Sequence, residues 1–409
     1  MRNTESTGRR IAVAAALVVL GITPAAYAQS SLQAKVDALN ARVSELETQQ
    51  SGTVRTSPGV TLTFGGYVKF DFIYDVDEAL GDTFGVSGIS TTGADHEHFR
   101  THARQTRLFF KTESTAGGRP LMTNVEFDFF GGGGNEIFSN SYNPRLRHAY
   151  VKWGNWTVGQ TWTNFMPIEV YPSTVDFEGP AGIPFVRQAQ VRYTTQISEN
   201  VKVAFSLENS EFSGRSATTA FSESTGTGIK AGLDQLPDFV ASATYSDDWG
   251  LVKVAGVVRE LNSPTSGDST TGYGINVSGQ ANLWQGGSVV GSFTYGDGIG
   301  RYIINGATQD AFVGATGKLT TIEAYGVTVG VSQQLTDNVK GGLAFGYYSA
   351  EDTFAPTDVD NLTTVHASLF WSPAERITVG GEVIWGQRED VSGASDDALR
   401  LQTSFQYSF

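Results

Sequence analysis

Arginine recurs in pairs in the first half of the chain. ARQTRLFF carries Arg104 and Arg107, RLRHAYV carries Arg145 and Arg147, and FVRQAQVRY carries Arg187 and Arg192. A guanidinium group stays charged at any accessible pH, and its planar fork meets a carboxylate at two points. Between the second and third pairs lies TNFMPIEVYPSTVDFEGPAGIPF, which holds the acids Glu169, Asp176 and Glu178. The chemistry on offer is recognition of anions, not bond-making. HEHFRTH gathers three histidines, but their order is not that of a zinc hydrolase helix. DVDEALGD lacks the oxygen spacing of a calcium loop, and Gly131–Gly134 opens no helix that could cradle phosphate. No G-x-S-x-G occurs, and His366, expected to face the lumen, stands beside no obvious serine nucleophile. No catalytic residue, metal or cofactor is expected.

Side-chain parity decides which of these residues can act together. In RLFF, Leu108 and Phe110 share an apolar face, which turns Arg107 the other way. In VRQAQVRY, Ala189, Val191 and Tyr193 point one way and Gln188, Gln190 and Arg192 the other. Arg145 and Arg147 share one parity and belong with the polar face. Arg104 has the opposite parity, as a residue at a subunit interface would. The candidate binding set is therefore Arg107, Arg145, Arg147, Arg187, Arg192, Gln188 and Gln190, opposed by Glu169, Asp176 and Glu178 of the loop. The plainer alternative is that these charges only solvate a polar wall.

The elements that must position this set have a period of two. GVTLTFGGYVKFDFIYD places Leu62, Phe64, Val68, Phe70, Phe72 and Tyr74 on one face, and Thr61, Thr63, Lys69 and Asp71 on the other. PLMTNVEFDFF, NVKVAFSLENS, GINVSGQANLW, VKGGLAFGYY, NLTTVHASLFW and RITVGGEVIWG repeat the alternation. Tight polar turns alternate with long loops, giving about sixteen strands from Val60 to Phe409. Trp153, Trp156, Trp249, Trp371 and Trp385 stand near strand ends, as interfacial girdles do. The pattern predicts an all-β transmembrane barrel of about 16 antiparallel strands, with a greasy face toward outer-membrane lipid and a polar lumen. The last strand, LRLQTSFQYSF, alternates to the terminal Phe409 and has to pair with the first to close the sheet. The loop at 163–185, rich in proline and apolar residues, is expected to fold inward and narrow the pore.

The segment before the barrel reads differently. Residues 1–28 combine three arginines, an apolar run from Ile11 to Ile22 and a PAAYA cleavage pattern, so they are a signal peptide. Their removal takes away three Arg and one Glu and moves the formal net charge from -14 to -16. With no cysteine in the chain, no disulfide supports the exported protein. Residues 29–50 carry Leu32, Val36, Leu39, Val43 and Leu46 at heptad spacing, which predicts a short coiled-coil helix. Residues 51–59 form a linker, and residues 60–409 the barrel.

Taken in this order, the parts resemble the DcaP-like porins of Gram-negative bacteria. VTLTFGGYVKFDFIYD, RQTRLFFKTE, RLRHAYVKWGNWTVGQTWTNF and VRQAQVRYT are similar to the family's early strands. The resemblance implies a homotrimer of sixteen-stranded channels in the outer membrane, with the N-terminal helices in the periplasm. It implies passage of small organic anions, above all dicarboxylic acids, and places Arg107, Arg145, Arg147 and Arg192 in matching strands. Val at a with Leu at d favours two-stranded coils, but the barrel interface would outweigh two heptads, so three copies are expected. Phe409 resembles the terminal signal read by the barrel-assembly machinery. No nucleic-acid partner is expected. The alternatives are an envelope-tethering or structural protein with a non-selective pore and, more remotely, an outer-membrane enzyme.

Overall fold

The computed structural model describes residues 53–57, 59–93, 96–211, 213–216, 220–222, 235–263, 267–304, 309–314, 316–351, 353 and 355–409. The signal peptide and the heptad residues Leu32, Val36, Leu39, Val43 and Leu46 lie outside them.

Strong alternation from Val60 onward gives sixteen antiparallel strands. They are β1 (Val60–Asp75), β2 in two pieces (His98–His102 and Arg107–Ala116), β3 (Arg119–Asp128), β4 (Arg145–Trp153), β5 (Trp156–Trp162), β6 (Arg187–Gln196), β7 (Val201–Glu208) and β8 (Asp238–Asp247). The second half comprises β9 (Gly250–Asn262), β10 (Ser269–Trp284), β11 (Gly287–Asp297), β12 (Glu323–Thr336), β13 (Val339–Glu351), β14 (Val359–Ala374), β15 (Ile377–Asp390) and β16 (Ser395–Ser408). Each strand pairs with the next, and β1 pairs with β16 from Tyr67↔Ser408 to Asp75↔Arg400, so the sheet closes without an edge. Phe409 extends that seam, since its N–H donates to the Gly66 carbonyl at 3.0 Å and its own carbonyl accepts from Gly66 at 3.2 Å.

The two faces are inverted relative to a water-soluble protein. Along β1, Phe64, Val68, Phe70 and Phe72 are exposed, whereas Lys69 and Asp71 are 4% and 0% exposed. β16 repeats this with Leu401, Phe405 and Tyr407 outside and Arg400, Gln402 and Ser404 buried inside. Such an apolar outer belt is stable only in lipid.

The inner face is less uniformly polar than the alternation suggests. Three long loops enter the lumen and bring an apolar core with them: Phe84, Val86 and Ile89 from residues 76–97, Phe165 and Ala181 from 163–186, and Ile299, Tyr302 and Ile303 from 298–322. They pack on inward Val240, Ala255, Val257, Tyr348, Leu362 and Ile384 of the β8–β15 wall. Small residues let the backbone come close. A Cβ on Gly326 of β12 would stand 2.0 Å from the Gly182 carbonyl oxygen, and one on Gly346 of β13 would stand 2.4 Å from that of Ala181. Only glycine leaves the loop room to lie flat on this wall.

Candidate functional site

The connection between β5 and β6 is pinned across the lumen by inward side chains of distant strands. Glu382 of β15 accepts from the N–H groups of Val175 and Asp176 through one carboxylate oxygen, and its other oxygen meets His366 Nδ1 at 2.8 Å. Thr364 of β14 accepts from the Ala181 N–H at 3.0 Å, and Thr328 of β12 donates to the Ala181 carbonyl at 3.1 Å. Lys69 of β1 donates to the Val175 carbonyl at 2.8 Å, and Lys253 of β9 to the Met166 carbonyl at 2.6 Å. These bonds satisfy loop backbone that would otherwise be buried unpaired.

On the opposite wall, β2, β3, β4 and β6 converge on a cluster of four guanidinium groups and two carboxylates. Arg145 holds Asp128 in a two-point pair, Nε to Oδ1 at 3.0 Å and Nη2 to Oδ2 at 2.8 Å. Arg147 bridges the same wall, with Nε 2.8 Å from Glu126 Oε1 and Nη1 2.8 Å from Asp128 Oδ2. Arg107 lies 3.4 Å from Glu126 and 5.3 Å above the Tyr67 ring. Arg187 stacks 4.8 Å over Trp162, and its buried Nη1 has no hydrogen-bond partner among the described residues. Four cations against two anions leave two positive charges here. The loop supplies Phe177, whose ring sits 5.4 Å from the Arg145 guanidinium and 5.3 Å from that of Arg147.

A β-bulge in β4 explains part of this geometry. Phe127 pairs with Leu146 and Glu126 with His148, which leaves Arg147 as the extra residue. Parity changes there, so both Arg147 and His148 are buried on the inner side, and Tyr150 and Lys152 follow them.

The remaining candidates are distributed differently from the expectation. Asp176 does not face the arginine cluster. It is buried, accepts from the N–H groups of Phe84, Glu178 and Gly179, and lies 3.8 Å from Arg400, so it ties two inward loops to β16. Gln188 is buried against Glu208 at 2.6 Å and Tyr302 at 3.0 Å, beside an Arg259–Asp238–Asp310 ion-pair network. Gln190 donates to the Trp162 carbonyl at 2.9 Å. Both glutamines brace the wall. Glu178 is half-buried next to Asp176, and burial together with that neighbouring carboxylate raises its pKa to about 7. Glu169 and Arg192 lie on the turn side of the loop, away from the cluster.

Arg104 corrects the interface expectation. It falls in the break between the two pieces of β2, where strand parity does not apply, and its side chain is buried. There it pairs with Asp82 and with Glu136 at 2.9 Å, and it covers the Tyr142 ring. The sequence reading missed Glu126 and Asp128 as partners of the arginines, although NVEFDFF places both opposite Val125 and Phe127 by simple alternation.

The fold has solved counterparts. The outer membrane channel DcaP of Acinetobacter baumannii is similar at a TM-score of 0.77 and 24% identity, covering 87% of this chain and 99% of that one. An anion-selective porin from Comamonas acidovorans is similar at 0.59 and 13%, covering 86% and 100%. The trimer form of OmpT of Vibrio cholerae is similar at 0.55 and 14%, covering 86% and 100%. No curated protein matches the chain by sequence. The family model of the DcaP outer membrane protein spans residues 42–409, the whole length of the barrel and part of the heptad segment, and on that match the chain belongs to the DcaP family of outer-membrane porin barrels.

Proposed function

We propose that the barrel passes small organic anions, dicarboxylic acids such as succinate or phthalate, through the constriction between the arginine cluster and the third loop. The observation that carries this reading is the unbalanced charge of that wall, where the four guanidinium groups of Arg107, Arg145, Arg147 and Arg187 meet two carboxylates, Glu126 and Asp128, in ion-pair contact among the described residues. A dianion placed there can meet two separate guanidinium groups. Phe177, Trp162 and Tyr67 around them offer flat apolar surfaces to the carbon skeleton. Each contact with a solvated charge contributes only about 0–1 kcal/mol, which suits a solute that must leave again.

The assembly is proposed to be a homotrimer in the outer membrane, held mainly by barrel contacts, with residues 29–50 as a coiled coil in the periplasm. An envelope tether with an incidental pore is the competing reading. Uptake of radiolabelled phthalate into proteoliposomes, with competition by succinate and by an uncharged diol of equal size, tests the substrate class. Competition by succinate alone is expected; equal competition by the diol would leave only a non-selective pore.

A further inference from the structure

On the turn side of the third loop lies a cavity of about 470 Å³ that the arginine cluster does not use. Its walls are the inner faces of β4–β9 and the underside of the loop at Met166, Ile168 and Glu169. Lys152, Arg192, Lys202 and Lys253 face into it, and Glu169 is the single carboxylate on its lining. The buried Nε of Arg192 has no hydrogen-bond partner among the described residues. Leaving such a donor unmade is costly, so the chamber is short of acceptors.

This group is separate from the constriction. The charges that act on Arg187 are Arg147, Arg145, Asp128 and Arg107. Those acting on Arg192 are Glu208 and Glu169, with Tyr150 beside them, and those acting on Lys152 are Arg192, Lys202 and Lys111. Trp162 is common to the two, since Arg187 stacks on it and it also lines the cavity.

Resting on the anion-channel reading above, we propose that this chamber is a second binding station for small organic dianions, reached after the constriction on the way to the short-turn rim. Ammonium groups on flexible stems accept many geometries, whereas guanidinium forks select for planar carboxylates. The constriction therefore chooses the solute and the chamber receives it. Two adjacent wells of moderate depth speed transit, because neither has to hold the solute tightly.

The test uses full-length channels in planar bilayers, with phthalate added from one side at a time. Lys152 and Lys202 are exposed at the wide mouth, so a Lys152→Gln/Lys202→Gln variant removes two charges without uncovering a buried partner. Phthalate added from the short-turn side is expected to block the variant roughly threefold to tenfold more weakly than the unmodified channel. Block from the long-loop side is expected to persist. Unchanged block from the turn side, or equal weakening from both sides, overturns the chamber as a station while leaving the constriction intact. A channel that phthalate blocks from neither side and that prefers cations overturns the constriction, and the station with it.

Discussion

Arg187 is the charge whose removal separates selectivity from stability most cleanly. Arg145 and Arg147 are bonded to the fully buried Asp128, so each is partly cancelled and each keeps a carboxylate satisfied. Arg187 has no carboxylate in hydrogen-bond contact among the described residues and rests on Trp162. Arg187→Gln therefore removes one uncompensated charge and strands nothing. A unit charge about 6 Å from the ion path is worth about 0.7 kcal/mol in water, and screening at 0.1 M salt reduces this to about 0.4 kcal/mol. Losing it means roughly twofold fewer anions and twofold more cations at the narrowest point. In a tenfold KCl gradient the zero-current potential should move toward cations by about 20 mV. The variant's barrel should still resist heating in detergent as the unmodified protein does. Arg147→Gln is the contrast, because it removes one of the three groups that donate to the buried Asp128 and also the Nε bond to Glu126, at a cost of about 1–3 kcal/mol. An Arg187→Gln channel with an unchanged zero-current potential, or one that unfolds as readily as Arg147→Gln, would refute this division of roles.

Three further outcomes follow from the same geometry. The Glu178 carboxyl has a folded pKa of about 7, above that of an unfolded glutamic acid, so its contribution to loop docking is present below about pH 4.3 and is lost as pH rises through 7. Its ionisation adds negative charge to the constriction, so anion preference should fall between pH 5.5 and 8.5, and Glu178→Gln should flatten that titration. Gly326→Val forces a side chain into the space held by the Gly182 carbonyl; single-channel conductance should rise and become noisy as the loop lifts from the wall, and a quiet, unchanged conductance would count against that docking. Phe409→Ser keeps the backbone bonds to Gly66 but loses the Phe64 contact, 5.6 Å between ring centroids; outer-membrane levels measured after fractionation should drop severalfold, and normal levels would restrict the residue to closing the seam.

The barrel was legible because lipid and water impose opposite demands on successive residues, and that demand is written along most strands, as in Phe64 to Phe72 and Leu401 to Tyr407. Loop positions were legible too, since tight turns such as 154–155 alternate with connections as long as 163–186. Three features escaped. The bulge at Arg147 shifts parity within one strand, which period counting cannot detect without a partner strand. The loops that fill the lumen make part of the inner face apolar, so Val240 and Leu362 look misplaced until Phe165 and Val86 are set against them. The acids of the third loop were read by composition as facing the arginines, yet Asp176 is consumed by its own loop's N–H groups and by Phe84. Composition can count charges. It cannot say which of them are already paired.

The most direct test of the account is the zero-current potential of the unmodified channel at neutral pH in a tenfold KCl gradient. The surplus of guanidinium groups over Glu126 and Asp128 predicts a potential whose sign reports chloride as the more permeant ion. A potential of the opposite sign would mean that the loop acids Glu169 and Glu178 govern the pore, and the assignment of anionic solutes would be contradicted.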